Sequence, residues 1–383
     1  MREHSDIVVV GGGPVGAAFA LALADSEFSV QVLEARPHLR QPTFRRTLAL
    51  SYGTRLILER LGVWSALRKV TPIRDIHISQ RGGMGVARLS ATEEQLPELG
   101  AVVDYGELDA ALHQALANSA VQVVTGARVV DSHSTTTYAS LQMEYKGRPE
   151  CVTTRLAVIA DGGAGQANRE RREYAQHALV AWVKSELPHG HRAYERFTDE
   201  GPMALLPDQD GFALVLTALP ERVNALLAMP EADFLAELYQ HFGERLGRFV
   251  QVRERSSFPL ATSHTRDVVS PHRVMIGNAA HVMHPVAGQG FNLGLRDAWE
   301  LAEQVRASGR EALGDMVMLK RYAVTRQFDV SASMWFTDSL VRLFTQPNPL
   351  LDHVRGMGLL ALQQMPPLKH FVARRMIFGA RAW

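Results

Sequence analysis

Cysteine is almost absent from the sequence, which has only Cys151 among its 383 residues. An intrachain disulfide and disulfide-reductase chemistry are therefore excluded, and a reducing cytosol is the compartment we expect. We predict that Cys151 is an inert packing residue. Charge of one sign is also lacking, because 41 Lys and Arg residues stand against 40 Asp and Glu residues. The resulting net charge of +1 gives no field that would attract nucleic acid.

Metal-binding patterns are missing as well. The 15 histidines include no His-Glu-x-x-His spacing, and one cysteine cannot form a Cys-x-x-Cys motif, so we expect no metal site. Long apolar runs are scarce. The nearly charge-free stretch over residues 7–24 contains a glycine cluster and Pro14, which would break a membrane-spanning or signal helix. We therefore interpret this stretch as part of a folded α/β unit.

The glycine cluster has the spacing of a dinucleotide-binding fingerprint. A buried strand over residues 6–10 precedes it, an alanine-rich helix follows, and a second strand over residues 29–33 ends in Glu34. The three glycines of the G-x-G-x-x-G pattern are Gly11, Gly13 and Gly16. They would allow a tight turn, a close approach to a pyrophosphate and close packing of the helix on the strand, while Glu34 would bind a ribose diol. A glycine-rich loop of any α/β protein is the alternative, but the flanking strands and Glu34 favour a dinucleotide.

Two other segments follow predicted strands. After Glu34 comes a basic loop with Arg36 and Arg46, which are either solvated or placed near a phosphate or the edge of a cofactor ring. A buried strand over residues 156–160 ends in Asp161 and Gly162. These two form either an ordinary turn or a hydroxyl-binding site at the carboxyl end of a parallel strand.

The most informative segment spans residues 277–294. It contains a Gly-Asn turn, then Pro285, and then a Gly-Gln-Gly that begins an apolar helix continuing to Leu301. The start of a helix presents unpaired backbone N–H groups and a positive dipole end. Such an end suits a flat ring that becomes anionic on reduction, so the segment favours a flavin over a nicotinamide as the resident dinucleotide.

The remaining pattern predicts a Rossmann-like α/β protein with an inserted sheet. Strand-like alternation occupies residues 72–97, and mostly strands follow over residues 179–258. We predict a discontinuous cofactor domain over residues 1–71, 98–178 and 259–340. An antiparallel sheet domain for the substrate would comprise residues 72–97 and 179–258, and C-terminal helices would comprise residues 341–383.

Three separated pieces of the chain resemble the flavin-dependent aromatic hydroxylases of the p-hydroxybenzoate hydroxylase fold. They are the N-terminal βαβ unit, the strand that ends at Asp161, and residues 277–294. Residues 277–294 are most similar to the ubiquinone-biosynthesis hydroxylases, and residues 194–198 and 201–207 also resemble one subgroup of that family. Asn278, where that family generally has Asp, most resembles the 2-octaprenyl-6-methoxyphenol hydroxylase subgroup. The chain departs from the family at Phe44 and at Glu107, where an Asp and an Arg are common.

This resemblance implies a reaction and its cofactors. NADH or NADPH would reduce non-covalently bound FAD, and O2 would form a flavin C4a-hydroperoxide that hydroxylates the aromatic ring of a polyprenylated phenol in ubiquinone biosynthesis. His284 would either assist phenol deprotonation or pack under its loop, and Pro285 would shape the wall beside the ring. The expected cofactor-binding residues are Gly11, Gly13, Pro14, Val15, Gly16, Glu34, Ala35, Arg36, Arg46, Val129, Asp161, Gly162, Gly277, Asn278, Pro285, Gly288, Gln289, Gly290, Phe291 and Asn292.

Other functions stay open at this point. The protein could be a flavin monooxygenase for a different aromatic substrate, or a non-catalytic flavin-binding subunit of a quinone-biosynthesis assembly. The C-terminal helices, which mix apolar side chains with Arg355, Lys369 and Arg375, could cover the cofactor domain or lie on an anionic membrane. The expected location is the cytoplasm or the inner face of the cytoplasmic membrane, with other ubiquinone-biosynthesis enzymes as partners.

Overall fold

The structure is a computed structural model that describes residues 3–37, 46–83, 85–163, 169–283, 288–345 and 349–379. The strands are β1 (His4–Val10), β2 (Val30–Glu34), β3 (Thr47–Ser51), β4 (Thr71–Ile73), β5 (Asp75–Gln80), β6 (Val86–Ser90), β7 (Gly100–Asp104), β8 (Gln122–Thr125), β9 (Ala127–Ser134), β10 (Ala139–Tyr145), β11 (Arg148–Ile159), β12 (Arg169–Ser185), β13 (Arg192–Phe197), β14 (Pro202–Asp208), β15 (Gly211–Ala218), β16 (Phe249–Thr265), β17 (Val269–Ser270), β18 (Arg273–Met275) and β19 (His281–Val282). The α-helices are α1 (Pro14–Ala22), α2 (Tyr52–Arg60), α3 (Tyr105–Ala117), α4 (Pro220–Ala228), α5 (Glu231–Phe242), α6 (Gln289–Ser308), α7 (Met316–Thr345), α8 (Pro349–Gln364) and α9 (Pro366–Phe378).

The first sheet has the strand order β17-β18-β11-β1-β2-β8, and the hairpin β9–β10 pairs onto β11. Strands β18, β11, β1, β2 and β8 run parallel. Val10 at the end of β1 lies opposite Leu33 and Ile159, so the carboxyl ends of three central strands meet at one edge. Ligands of open α/β sheets bind at this edge, and the fingerprint loop and Asp161 both emerge there.

One face of this sheet is covered by helices. Helix α1 packs against α3 and α6, and together with the strands they form the largest apolar core, which includes Phe19, Leu112 and Leu301. Helix α3 begins two residues before the predicted Glu107, because the Asp104 carboxylate accepts the Glu107 N–H at 2.9 Å and caps the helix. The opposite face is covered by the β9–β10 hairpin.

The second sheet has the order β19-β16-β12-β15-β14-β13-β5-β6, and it is antiparallel except between β13 and β5. Helices α4 and α5 cover one face and form a separate apolar core with residues such as Phe212 and Phe234. The other face is turned towards a small three-stranded sheet, β3-β7-β4. The predicted insertion of a mostly antiparallel sheet is therefore present, and α4 is a helix that the sequence pattern did not predict.

The division into domains stays a prediction, and two long strands cross its expected boundaries. β12 begins at Arg169 and β16 ends at Thr265, so each strand runs several residues beyond the range 179–258. Helix α7 runs through position 340 without interruption. The prediction for Cys151 was wrong, because this side chain is exposed on β11 rather than packed.

The C-terminal helices pack on the rest of the protein. Helix α9 contacts α2 and β3, and α8 contacts β5 and β6. Arg355 and Lys369 are buried, and the Lys369 ammonium lies 2.8 Å from the Glu93 carboxylate. Apolar residues are instead exposed on α8, on α9 and between the two helices, namely Met357, Leu360, Met365, Leu368 and Phe371. Of the helices in the described ranges, none is long and apolar enough to cross a membrane.

Candidate functional site

The fingerprint loop leaves room for a ligand beside Gly13. Helix α1 begins after Gly13, which has no side chain to cap the helix, and Pro14 takes the first helical position. A Cβ atom added at Gly13 would meet no atom within 4 Å, whereas one added at Gly16 would lie 2.1 Å from the Gly11 carbonyl oxygen. Gly13 therefore faces open space at the positive end of α1, and Gly16 is required for packing.

The Glu34 carboxylate holds this loop in place. It is 5% exposed and accepts hydrogen bonds from the Gly12 N–H at 2.7 Å and from the Arg36 N–H at 2.9 Å. The Arg36 guanidinium also donates to it at 2.8 Å. Burial alone would raise the pKa of Glu34, but these hydrogen bonds and the charge of Arg36 lower it. Glu34 is thus an ionised acceptor at the end of β2.

The other residues predicted for the adenosine end lie around Glu34. Ala35 is exposed. The Arg36 carbonyl oxygen accepts the Gly126 N–H at 3.1 Å, which brings the start of β9, and hence Val129, beside β2. The Arg46 guanidinium carbon lies 5.3 Å from the centre of the Tyr105 ring, at the surface. Phe44 lies outside the described residues.

Arg169 joins two segments that the sequence predicted to be close. Its guanidinium donates to the carbonyl oxygens of Gly163 at 2.9 Å and of Asn278 at 2.8 Å. Asp161 in turn accepts the Gly163 N–H at 2.8 Å, and loss of hydration raises the pKa of its carboxyl group despite that bond. Sequence reasoning missed Arg169. A lone arginine at the start of a strand gave no signal for this role.

Helix α6 begins at the same edge of the first sheet. Gly288 takes a left-handed conformation with φ of 60° and carries no side chain that could cap α6, so the positive dipole end of the helix has no capping side chain. Gln289, Gly290 and Phe291 form the first turn and are partly buried. His284 and Pro285, the predicted catalytic residue and ring wall, lie outside the described residues, so their roles stay predictions.

The side chain of Asn292 is fully used within the protein. Its amide oxygen accepts the Ser51 N–H at 2.9 Å, and its amide nitrogen donates to the carbonyl oxygens of Ala49 and Gly288, both at 3.0 Å. Asn292 therefore ties the first turn of α6 to the end of β3. This geometry gives Asn292 a positioning role, because both N–H groups of its amide already donate within the protein.

A buried ionic network fixes the turn that precedes α6. The Asp297 carboxylate accepts the Gly277 N–H at 3.0 Å and contacts His281 Nε2 at 2.7 Å. The Arg326 guanidinium donates to its other oxygen at 2.8 Å and to Asp329 at 2.7 Å. Burial opposes ionisation of Asp297, but His281 and Arg326 lower its pKa to about 2. The sequence pattern did not reveal this network.

Gly277 also lies where α6 crosses α1. A Cβ atom at Gly277 or at Gly294 would lie 3.0 Å from a methyl group of Val15. Val15 is therefore a packing residue between the fingerprint helix and the 277–294 segment. Asn278, one residue further on, is exposed at the edge of the first sheet. The structure thus brings together the predicted glycines, Glu34, Asp161, Asn278 and the start of α6.

An apolar cavity of about 70 Å³ lies between the start of α6 and the second sheet. Gln289 and Asn292 line one side of it, and helix α9 closes another. Aliphatic side chains from the second sheet, from the three-stranded sheet and the loop beside it, and from α9 make most of its wall, and these are Leu50, Ile73, Ile76, Leu89, Leu99, Met376 and Ile377. A flat ring held at α6 would have this apolar space beside it.

These features fit FAD. The open space at Gly13 and the uncapped start of α1 suit a pyrophosphate, and the ionised Glu34 suits a ribose. The uncapped start of α6 lies beside an apolar cavity and suits a ring that gains negative charge on reduction. In the described ranges, no group of three or more His, Cys, Asp or Glu side chains could hold a metal ion.

Comparisons with known proteins agree with this geometry. A family model described as FAD binding domain matches residues 4–329. The chain is 34% identical to 3-demethoxyubiquinol 3-hydroxylase of Escherichia coli, over 96% of this chain and 97% of that protein. It is 33% identical to ubiquinone hydroxylase UbiL of Rhodospirillum rubrum, over 97% of this chain and 89% of that protein.

Solved structures show the same fold. That of p-nitrophenol 4-monooxygenase PnpA from Pseudomonas putida has a TM-score of 0.77 at 17% identity and covers 99% of this chain and 100% of its own. That of PqsL from Pseudomonas aeruginosa has a TM-score of 0.75 at 20% identity and covers 93% and 99%, respectively.

Fold and site together define an FAD-dependent aromatic hydroxylase of the p-hydroxybenzoate hydroxylase type. The chain belongs to the FAD-binding domain family that matches residues 4–329. The predictions of the fold class, of FAD and of a flavin-dependent monooxygenase are confirmed. The individual site residues and the hydroxylase subgroup stay predictions.

Proposed function

We propose that the protein hydroxylates the aromatic ring of a polyprenylated phenol in ubiquinone biosynthesis, with NAD(P)H and O2 as co-substrates. The observation that carries this proposal is the apolar cavity at the start of α6, in a chain 34% identical to a demethoxyubiquinol hydroxylase over nearly its full length. The aliphatic wall made by residues such as Ile76, Leu89 and Met376 suits contact with the apolar face of an aromatic substrate.

FAD, when bound, supplies the chemistry that transfers one oxygen atom of O2 to the substrate. The protein's part is to bind and orient. Gly13 and Glu34 would hold the dinucleotide, and the positive dipole end of α6 at Gly288 and Gln289 would stabilise negative charge on the ring. The aliphatic wall would keep water from the reacting atoms. Asn292 would hold the start of α6 against β3, so that ring and substrate keep a fixed separation.

The test uses the purified full chain loaded with FAD. It is incubated with NADH or NADPH, a phenol bearing a short prenyl chain, and ¹⁸O2, and the products are analysed by mass spectrometry. The expected product is a ring-hydroxylated phenol that carries one ¹⁸O atom. NAD(P)H oxidation that yields only hydrogen peroxide with this phenol and with other simple phenols would contradict the proposal and favour a non-catalytic flavin-binding subunit.

We also propose that the apolar surface of α8 and α9 lets the protein work at a membrane face. Its exposed members include Leu368 and Phe371, whereas Arg355 and Lys369 are turned inward. Binding would therefore depend on apolar area more than on anionic lipid. Co-sedimentation with neutral lipid vesicles should decrease in a Leu368→Ser, Phe371→Ser variant, while Leu187→Ser, at an exposed site in the second sheet's loops, should have no effect. Equal sedimentation of both variants would contradict the proposed membrane binding by α8 and α9.

A further inference from the structure

Strand β13 carries a glutamate whose direction is set by its two neighbours. The Tyr194 ring packs against the Phe242 ring of α5, with centroids 5.2 Å apart. The Arg196 guanidinium donates to the His241 carbonyl oxygen, also in α5, at 3.1 Å. Side chains alternate along a strand, so Glu195 points away from α5. It therefore lies on the face of the second sheet that is turned towards the cavity.

The residues around Glu195 confirm which face this is. On the same strand, Ala193 packs with Ile73 and Ile76, which both line the cavity. Glu195 is paired with Ile78 on β5 and with Ala204 on β14. Ile78 belongs to the same apolar cluster as Leu89 and helix α9, which are also parts of the cavity wall. Glu195 thus stands one step further along the sheet from the wall of the cavity.

The Glu195 carboxyl group has no hydrogen bond or ion pair with any of the described residues. On the two neighbouring strands, the residues that share its face are uncharged, namely Ile76, Ile78 and Gln80 on β5 and Pro202, Ala204 and Leu206 on β14. Burial raises its pKa to about 8, and no nearby charge contributes. The side chain still keeps some accessible surface, as expected for a group that faces an internal space.

An unpaired carboxyl group in an apolar wall costs stability. Arg222 of α4 pairs with Glu200 and Glu237 on the helix-covered side of the second sheet, and the neighbouring strands offer Glu195 no such cation on its own face. Perturbed, unpaired titratable groups beside a cavity are characteristic of functional sites.

We propose that Glu195 is the catalytic residue that binds the phenolic O–H group of the substrate and accepts its proton. This inference rests on the proposed function and names the acidic group that would orient the phenol beside the cavity. The proton would pass from the phenolic oxygen to a Glu195 oxygen, and the electron pair of the O–H bond would stay on the phenolic oxygen. That pair raises the electron density of the ring carbon that receives oxygen.

The proton balance closes within one turnover. After oxygen transfer, the hydroxylated ring carbon releases its hydrogen to water as a proton, and the electron pair of that C–H bond restores aromaticity. The Glu195 carboxyl returns its proton to the phenolic oxygen, and the second oxygen atom of O2 leaves as water. A phenol has a pKa of about 10 and an unperturbed Glu about 4.3, so transfer to an ordinary carboxylate is strongly uphill. The raised pKa of Glu195 reduces the difference between the pKa values of the phenol and the carboxyl group to roughly 2.

The test compares Glu195→Gln with the matched control Asp199→Asn, which makes the same change at an exposed position four residues on. Both variants should keep the FAD content of the wild type and at least its thermal stability, because Glu195→Gln removes an unpaired carboxyl group and Asp199 is exposed. With the short-chain prenylphenol, Glu195→Gln should form product roughly 10²-fold more slowly and release hydrogen peroxide instead. Glu195→Asp, which keeps the acid, should recover part of the rate.

A binding measurement tests the same idea without turnover. The phenol and its methyl ether are titrated into FAD-loaded protein while the flavin absorbance is followed, at several pH values. The wild type should prefer the phenol, with an ionisation near pH 8 in its affinity, and Glu195→Gln should lose both the preference and the ionisation.

The outcomes separate the two proposals. A Glu195→Gln variant with the product rate, preference and pH profile of the wild type overturns the role of Glu195. A wild type that binds the phenol with this preference but forms no product overturns the proposed function and supports the binding role of Glu195. A wild type that neither binds nor hydroxylates the phenol overturns both.

Discussion

His281 Nε2 lies 2.7 Å from Asp297 Oδ2, and both side chains are almost completely buried. The same oxygen accepts the Gly277 N–H, so the middle of α6 controls the turn that carries Asn278. Arg326 of α7 holds the other oxygen of Asp297. The turn at Gly277 and Asn278, where FAD would bind, is therefore held in position by the buried network of His281, Asp297 and Arg326 behind it.

Asp297→Asn should destabilise the protein and weaken FAD binding. Removing one charge leaves Arg326 with Asp329 alone, a carboxylate that it shares with Arg296, and breaking a buried ion pair costs up to about 3–5 kcal/mol. Urea denaturation of the FAD-free protein measures the free energy of unfolding, and the absorbance of the purified protein measures its FAD content. The control Asp267→Asn, at an exposed position, should change neither quantity. Equal stability of the two variants would show that the network is not a stabilising element.

The same carboxylate should make stability depend on pH in the acid range. The pKa of Asp297 is about 2 in the folded protein against an ordinary value of 3.8. A lowered pKa in the folded state gives stability that is fully present above pH 3.8 and is lost as the pH falls towards 2. The loss should amount to about 2 kcal/mol. Denaturation curves at pH 5, 4, 3 and 2 should show it in the wild type, and a parallel curve for Asp297→Asn would contradict the assignment.

The sequence predicts the cofactor-binding unit well because its information is local. The strand, the glycines, the helix and Glu34 follow one another within a single βαβ unit, and each has a residue-level signature. Contacts between distant segments have no such signature. Arg169 reaches Asn278 across 109 positions, and Arg326 reaches Asp297 across 29, and neither arginine differs in its local pattern from a solvated one. The orientation of Glu195 likewise depends on which face of the sheet α5 covers.

Exposure was also poorly predicted at single positions. Cys151 lies on β11, where buried and more exposed positions alternate along part of the strand. Cysteine is usually a buried residue type, but the position of Cys151 in the strand exposes its side chain to solvent. The sequence pattern predicts Lys369 and Arg355 as surface charges on amphipathic helices. Both are buried, and Lys369 lies beside Glu93, which is distant in the chain. In each case the tertiary arrangement overrides the residue's average preference.

Gly13→Ala and Gly16→Ala should fail for different reasons. A methyl group at Gly13 meets open space in the protein, so folding should be unchanged, but the methyl would occupy the approach to the pyrophosphate. The variant should keep its thermal stability in the absence of FAD and bind FAD much more weakly. A methyl group at Gly16 would collide with the Gly11 carbonyl oxygen, so that variant should lose stability even without FAD. Normal FAD affinity in Gly13→Ala would contradict the placement of the pyrophosphate.

Asn292→Ala should loosen the start of α6 without touching the cofactor directly. It leaves the Ser51 N–H and the Ala49 carbonyl oxygen without their partner in a buried place, which costs about 1–3 kcal/mol for each unsatisfied group. The free energy of unfolding should therefore fall by a few kcal/mol. Hydrogen peroxide release per NAD(P)H should rise, because substrate and ring would lose their fixed separation.

Asn224→Ala is the matched control for this substitution. Asn224 is exposed on α4, and alanine favours a helix over asparagine, so the control should be neutral or slightly more stable. If Asn292→Ala lost stability but kept the wild-type ratio of hydroxylated product to peroxide, its hydrogen bonds would be structural only. The first turn of α6 would then be held for catalysis by its backbone contacts alone, and the positioning role assigned to Asn292 would be wrong.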